Sequence, residues 1–108
     1  MNKTVIEKFD QLEEMSTAAA ARIAEAMLSA VQSRGKAAVV LAGGKTPELT
    51  YRILAANRRI PWEQVHLFWG DERWLSPEDP ESNFFMVKNT LLNSIHLPAQ
   101  NLHCPVFA

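Results

Sequence analysis

The run Ala37-Ala38-Val39-Val40-Leu41-Ala42 constrains the fold more than any other feature of the chain. It is continuously apolar rather than alternating, and it is bounded by Lys36 and Gly43. That pattern suits a central parallel strand buried on both faces. Periodicity changes on either side of it. From Asp10, apolar residues recur at Leu12, Met15, Ala19, Ile23, Ala26 or Met27, and Ala30, with Arg34 and Gly35 as a stop. This is the rhythm of a long amphipathic helix, with Asp10 as its N-cap and Glu13 as the reciprocal partner. The alanines at 18–21 allow close packing on a sheet. Ahead of the helix, Thr4 to Phe9 alternates enough to suggest a short edge strand.

Beyond the apolar run, Gly43-Gly44-Lys45-Thr46-Pro47 leads into a second amphipathic segment, from Glu48 through Leu49, Ile53 and Leu54 to Asn57. Thr46 fits the N-cap and Pro47 the first helical position. Pro61 interrupts the chain, and His66-Leu67-Phe68-Trp69 reads as the next strand, ending at Gly70. A polar loop then runs from Asp71 to Ser82, and Asn83 caps a third helix through Phe84, Val87, Leu91, Leu92 and Ile95. The order β-α-β-α-β-α implies parallel strands joined by right-handed crossovers. The turns after Ala42 and Trp69 would then share the carboxyl edge of one sheet, where such folds place their sites.

Composition narrows the classes. Of 108 residues, 47% are apolar and 21% charged, with 11 Lys and Arg against 12 Asp and Glu, a formal charge of −1. Such a balance argues against a basic nucleic-acid binder or an acidic disordered tail. No stretch approaches the ~18 apolar residues of a membrane span, and the start MNKTVIEKFD has no apolar signal core, so a cytoplasmic location is expected. One cysteine, Cys104, excludes an internal disulfide, and three histidines without paired spacing offer no structural zinc site. The oligomeric state is not legible.

Two loops can carry chemistry. Gly43-Gly44, between a buried strand and a helix, would leave backbone N–H groups and the positive helix end facing an anion, although a glycine pair also makes a simple tight turn. A nucleotide P-loop requires glycine where Val39 stands, and the dinucleotide fingerprint lacks its third glycine. The second loop opens with Gly70-Asp71-Glu72-Arg73. Charge runs are commonly solvated turns, with Asp71 capping backbone and Arg73 paired to Glu72 or Glu81, yet position beside an anion-binding loop favours a site. His66, His96 and His103 read as packed or exposed, and Trp62, Trp69 and Trp74 as core or pocket wall, since no basic stripe accompanies them.

Leu41-Ala42-Gly43-Gly44-Lys45-Thr46-Pro47 with Tyr51, then Val65 through Arg73, then Pro80-Glu81-Ser82-Asn83, together resemble the amino-terminal half of the glucosamine-6-phosphate isomerase/6-phosphogluconolactonase family. The resemblance extends over positions 4 to 103. It implies a Rossmann-like three-layer αβα fold with a parallel sheet, expected here to be incomplete. Residues 1–108 would form the amino-terminal part of a single sugar-phosphate lactonase/isomerase domain. Lactonases of this family carry Gly-Gly before Thr-Pro and Asp-Glu-Arg after the strand, whereas deaminases carry Thr-Gly-Ser-Thr-Pro and Asp-Glu-Tyr. Gly43 and Arg73 thus point to hydrolysis of 6-phospho-D-glucono-1,5-lactone to 6-phosphogluconate in the pentose phosphate pathway, without metal or cofactor. The alternatives are glucosamine-6-phosphate isomerase/deaminase and a non-catalytic phosphosugar-binding fragment. The resemblance implies that Gly43, Gly44 and Thr46 bind the sugar phosphate and that Asp71 and Arg73 line its reacting end. Lys45, where the family often has Ser or Arg, either adds charge to that loop or points to solvent.

The departure from the family is an absence. Its members continue into a second half with a Gly-rich segment ending in Asp-Gly-His, whose histidine is the lactonase general base, and no such sequence occurs in these 108 residues. The ending after His103 also leaves the family pattern, which usually has a basic residue where Cys104 stands. A fragment, a frameshifted gene or a truncated protein would each give this result. An apolar sheet edge and open helix faces are expected to follow.

Overall fold

The computed structural model describes residues 4–70, 76 and 78–104. Helix α1 spans Leu12–Arg34, strand β1 Ala37–Leu41, helix α2 Glu48–Ala56, strand β2 Val65–Trp69, helix α3 Asn83–Thr90 and strand β3 Leu102–His103. Short 3₁₀ turns at Trp62–Gln64, Leu92–Ser94 and Ala99–Asn101 lie between them. The strands form one parallel sheet in the order β1-β2-β3, with Val39 opposite Leu67 and Phe68 opposite His103.

The parallel sheet and its incompleteness agree with the sequence reading, and alternation along the strands shows where the fold is open. Ala37, Leu41, Val65 and Leu67 are buried beneath the helices, together with Ala20, Ala24 and Met27 of α1, Tyr51 and Leu54 of α2, and Val87 of α3. The residues between them, Ala38, Val40, His66, Phe68 and His103, form the opposite face. Val40 is 67% exposed, so β1 is not buried on both faces as its continuous apolar run suggests. Such a run encodes burial only when a second layer covers the sheet. On the open face the ring of His103 stacks on Phe68 with centroids 4.4 Å apart, and His66 Nδ1 lies 3.0 Å from His103 Nε2.

Several boundaries differ from the sequence reading. Thr4 to Phe9 is no strand: Val5 and Ile6 are 73% and 79% exposed, and Glu7 forms an ion pair with Arg22 on the outside of α1. Gln11, not Asp10, is the N-cap of α1, without a side-chain cap; Glu13 and Glu14 in the first turn and Arg34 in the last complement the helix dipole instead. The C-terminal stop is as expected: Gly35 adopts φ 79° and donates to the Val31 carbonyl at 2.7 Å. The buried line of α1 runs through Ser16, Ala20, Ala24 and Met27, one position round from the larger residues, while Leu12 and Ala26 are exposed. Small side chains let the helix approach α2 and β1 closely, leaving Met15 and Ile23 at the flank. Ser16 Oγ is wholly buried without a hydrogen-bond partner among the described residues.

Helix α2 begins one residue later than predicted, with Pro47 as N-cap rather than Thr46, after a turn in which Glu48 donates to the Lys45 carbonyl. Helix α3 is capped by Ser82, whose Oγ accepts the Phe85 N–H at 3.0 Å, so Asn83 is its first residue. It ends at Thr90, and Leu91, Leu92 and Ile95 follow outside it. Strand β3 has only two residues and carries no pattern by which sequence alone would find it. Among the described residues, no helix is long and apolar enough to cross a membrane.

Candidate functional site

The strands that lead into the two loops singled out by sequence end side by side at the carboxyl edge of the sheet. Leu41 pairs with Trp69 at the last register position, and Gly70 N–H donates to the Leu41 carbonyl at 3.0 Å. The chain therefore leaves β1 and β2 side by side. Asp71 and Arg73, with Glu72 and Trp74, lie outside the described residues.

Beyond β1, the loop is held from below by Tyr51. Its hydroxyl accepts the Ala42 N–H at 2.8 Å and donates to the Ala42 carbonyl at 2.9 Å, satisfying both backbone groups of the residue that leaves the sheet. Burial pushes the Tyr51 hydroxyl above its ordinary range, and the hydrogen bond to Ala42 only partly opposes the shift. Sequence reasoning used Tyr51 only as part of a resemblance. The available signal was a tyrosine on the inner side of the helix after the loop, because a buried phenol needs a partner. Tyr51→Phe is expected to cost about 1–3 kcal/mol, since two part-buried backbone groups lose one partner at once. Because the folded hydroxyl titrates above the unfolded value near 10, its contribution is complete below about pH 10 and is lost as pH rises toward the folded value. Urea unfolding of both proteins between pH 7 and 11 checks this: the gap should close at the alkaline end, and a constant gap would contradict it.

The loop itself needs its two glycines for different reasons. Gly44 adopts φ +88°, a left-handed conformation, and a Cβ there would meet no atom within 4 Å. Gly43 is not in that region; a Cβ on it would overlap Oδ1, Cγ and Nδ2 of Asn83. Gly44, Lys45 and Thr46 are exposed. With Glu48, Glu81, Ser82 and Asn83, the first two of these line a cleft of about 280 Å³ between the starts of α2 and α3. Within the described lining, one lysine faces two glutamates, so an anion bound here would depend on oriented backbone N–H groups more than on net charge. The structure thus brings Gly43, Gly44, Lys45 and Thr46 to one edge of the sheet, and adds Glu48 and Asn83, which the sequence offered only as a helix start and as a helix cap within the resemblance motif.

Comparison with known proteins follows the same division of the chain. Residues 10–106 match the family model described as glucosamine-6-phosphate isomerases/6-phosphogluconolactonase. A 6-phosphogluconolactonase of Nostoc sp. is 38% identical over 107 residues, covering 95% of this chain but 42% of the relative. The crystal structure of a 6-phosphogluconolactonase from Shewanella baltica superimposes with a TM-score of 0.80 at 32% identity, over 95% of this chain and 42% of that one. A monomeric glucosamine-6-phosphate deaminase gives a TM-score of 0.76 at 27% identity, over 90% and 40% respectively. The chain therefore spans about two fifths of the length of these relatives.

Proposed function

This chain belongs to the glucosamine-6-phosphate isomerase/6-phosphogluconolactonase family, and from that premise we propose that it supplies the sugar-phosphate-binding part of a cytoplasmic 6-phosphogluconolactonase. The observation that carries the reading is the loop after β1, with left-handed Gly44 and the exposed Gly44–Thr46 stretch, set beside the exit of β2 by the Gly70 to Leu41 hydrogen bond. In this reading the N–H groups of Gly43 to Thr46 receive the 6-phosphate, with Lys45 adding its charge at the rim. Asp71 and Arg73 line the lactone end.

The reaction sets a further requirement. Water adds to the C1 carbonyl, the bond from C1 to the ring oxygen breaks, the ring oxygen takes up a proton as the C5 hydroxyl, and the attacking water gives its proton to a base. An unperturbed aspartate near pKa 3.9 is a weak base for that step. The family's Asp-Gly-His base has no counterpart in these 108 residues, so the chain's share of the work is binding and orientation. No cofactor is needed for this chemistry.

A second reading, amino-sugar-phosphate isomerisation and deamination, draws on the fold likeness to the deaminase, while Gly43 and Arg73 favour the lactonase. Titration of the ¹⁵N-labelled chain separates them. 6-Phosphogluconate should shift the amides of Gly43 to Thr46, and glucosamine-6-phosphate should do so only through the phosphate they share, at weaker affinity. Tighter binding of the amino sugar would favour the second reading, and no shift in the loop with either ligand would leave Gly43-Gly44 as a simple turn.

A further inference from the structure

Asn83 stands at an unusual place for its chemistry. It is the first residue of α3, only 7% exposed, and asparagine is a poor choice for a helical position unless its carboxamide has a task. Three features fix the backbone on either side of it. Ser82 caps the helix through the Phe85 N–H, Ser82 N–H donates to the Asp79 carbonyl at 2.9 Å, and the neighbouring Phe84 ring packs on Trp69 at the end of β2 with centroids 5.9 Å apart. From that backbone the carboxamide occupies the space that a side chain at position 43 would need.

We propose that Asn83 is the positioning residue of the loop after β1, its carboxamide bracing the Gly43 backbone so that the Gly43 to Thr46 N–H groups stay aimed into the cleft between α2 and α3. The inference deepens the sugar-phosphate reading and rests on it for the ligand. Gly43 and Asn83 are then one device. Glycine at 43 admits the carboxamide, and the carboxamide replaces the steric restraint that a side chain at 43 would otherwise provide. A conformation such as that of Gly44, which glycine leaves free to change, needs an external brace of this kind.

The test uses the 108-residue chain and four variants: Asn83→Ala, Asn83→Ser, Gly43→Ala and the double variant Gly43→Ala/Asn83→Ala. Backbone ¹⁵N order parameters and 6-phosphogluconate titration are read on each. Asn83→Ala should lower the order parameters of Gly44 and Lys45 and weaken 6-phosphogluconate binding by roughly three- to tenfold, with the order parameters of α1 unchanged. Gly43→Ala should lower Tm, and adding Asn83→Ala should recover Tm without recovering affinity. That split separates positioning from general stability. Unchanged loop order parameters and affinity in Asn83→Ala, or a double variant no more stable than Gly43→Ala, would overturn the proposal. If Asn83→Ala does not fold, the milder Asn83→Ser decides by the same order-parameter criterion. A parent chain that fails to bind 6-phosphogluconate while Asn83→Ala still frees the loop would refute the sugar-phosphate reading and leave the brace standing.

Discussion

Purified as 108 residues, the chain should open 6-phospho-D-glucono-1,5-lactone no faster than buffer does, and a complementing polypeptide from the remainder of a family member should restore turnover. Two independent losses lead to this. Removing a general base typically costs ~10²–10⁴ in rate, and the sequence offers no Asp-Gly-His base. Geometry is the second. The chain spans 42% of its Nostoc relative, and among the described residues Val40 and Phe68 stay 67% and 38% exposed on their face of the sheet, so the loop after β1 has less of the support that holds reacting groups in register. A spectrophotometric assay against a blank at the same pH and phosphate concentration measures the difference. The lactone opens in water unaided, so the blank decides the result. Turnover by the chain alone, abolished by Asp71→Asn, would show that the base lies within these residues after all.

Gly44→Val should weaken 6-phosphogluconate binding by more than about tenfold, and the reason differs from the one a glycine-rich loop first suggests. Crowding by neighbouring protein atoms is not the cause, because a Cβ at Gly44 meets nothing within 4 Å. The backbone angle is. At φ +88° a β-branched residue is a conformational outlier, costing about 1–3 kcal/mol, and the loop would relax to an extended form that turns its N–H groups away. Gly44→Asn makes the matching control, since asparagine tolerates left-handed backbone far better than valine. Calorimetry should therefore rank the parent and Gly44→Asn close together, with Gly44→Val far below. Equal losses in both variants would point to a ligand that touches Cβ space directly, and no loss in either would remove the loop from the binding site.

Much of this molecule is legible because local rules act over short distances. Gly35 stops α1 through its left-handed geometry as the chain predicts, and the strand before Gly43 and the helix after Pro47 appear within a residue or two of their predicted limits. Errors concentrate where a neighbour decides. Thr4 to Phe9 has strand-like alternation but does not join the sheet, although β1 stands at its edge, and its Glu7 pairs with Arg22 of α1 instead. Capping moved by one residue at all three helices, to Gln11, Pro47 and Ser82, and only Ser82 makes a side-chain cap hydrogen bond, because a helix start is set by local signals only to within a residue or two.

The sequence by itself determined the class of fold, the parallel strands and the two loops at their carboxyl ends, since hydrophobic period and turn chemistry depend only on nearby residues. Tertiary structure decided what holds the first of those loops. Tyr51 reaches nine residues back to both backbone groups of Ala42, and Asn83 comes from a different helix to fill the space left by Gly43. Neither contact leaves a periodic trace in the chain. Each depends on where the sheet brings two separate segments together, and a one-dimensional pattern holds no record of that distance.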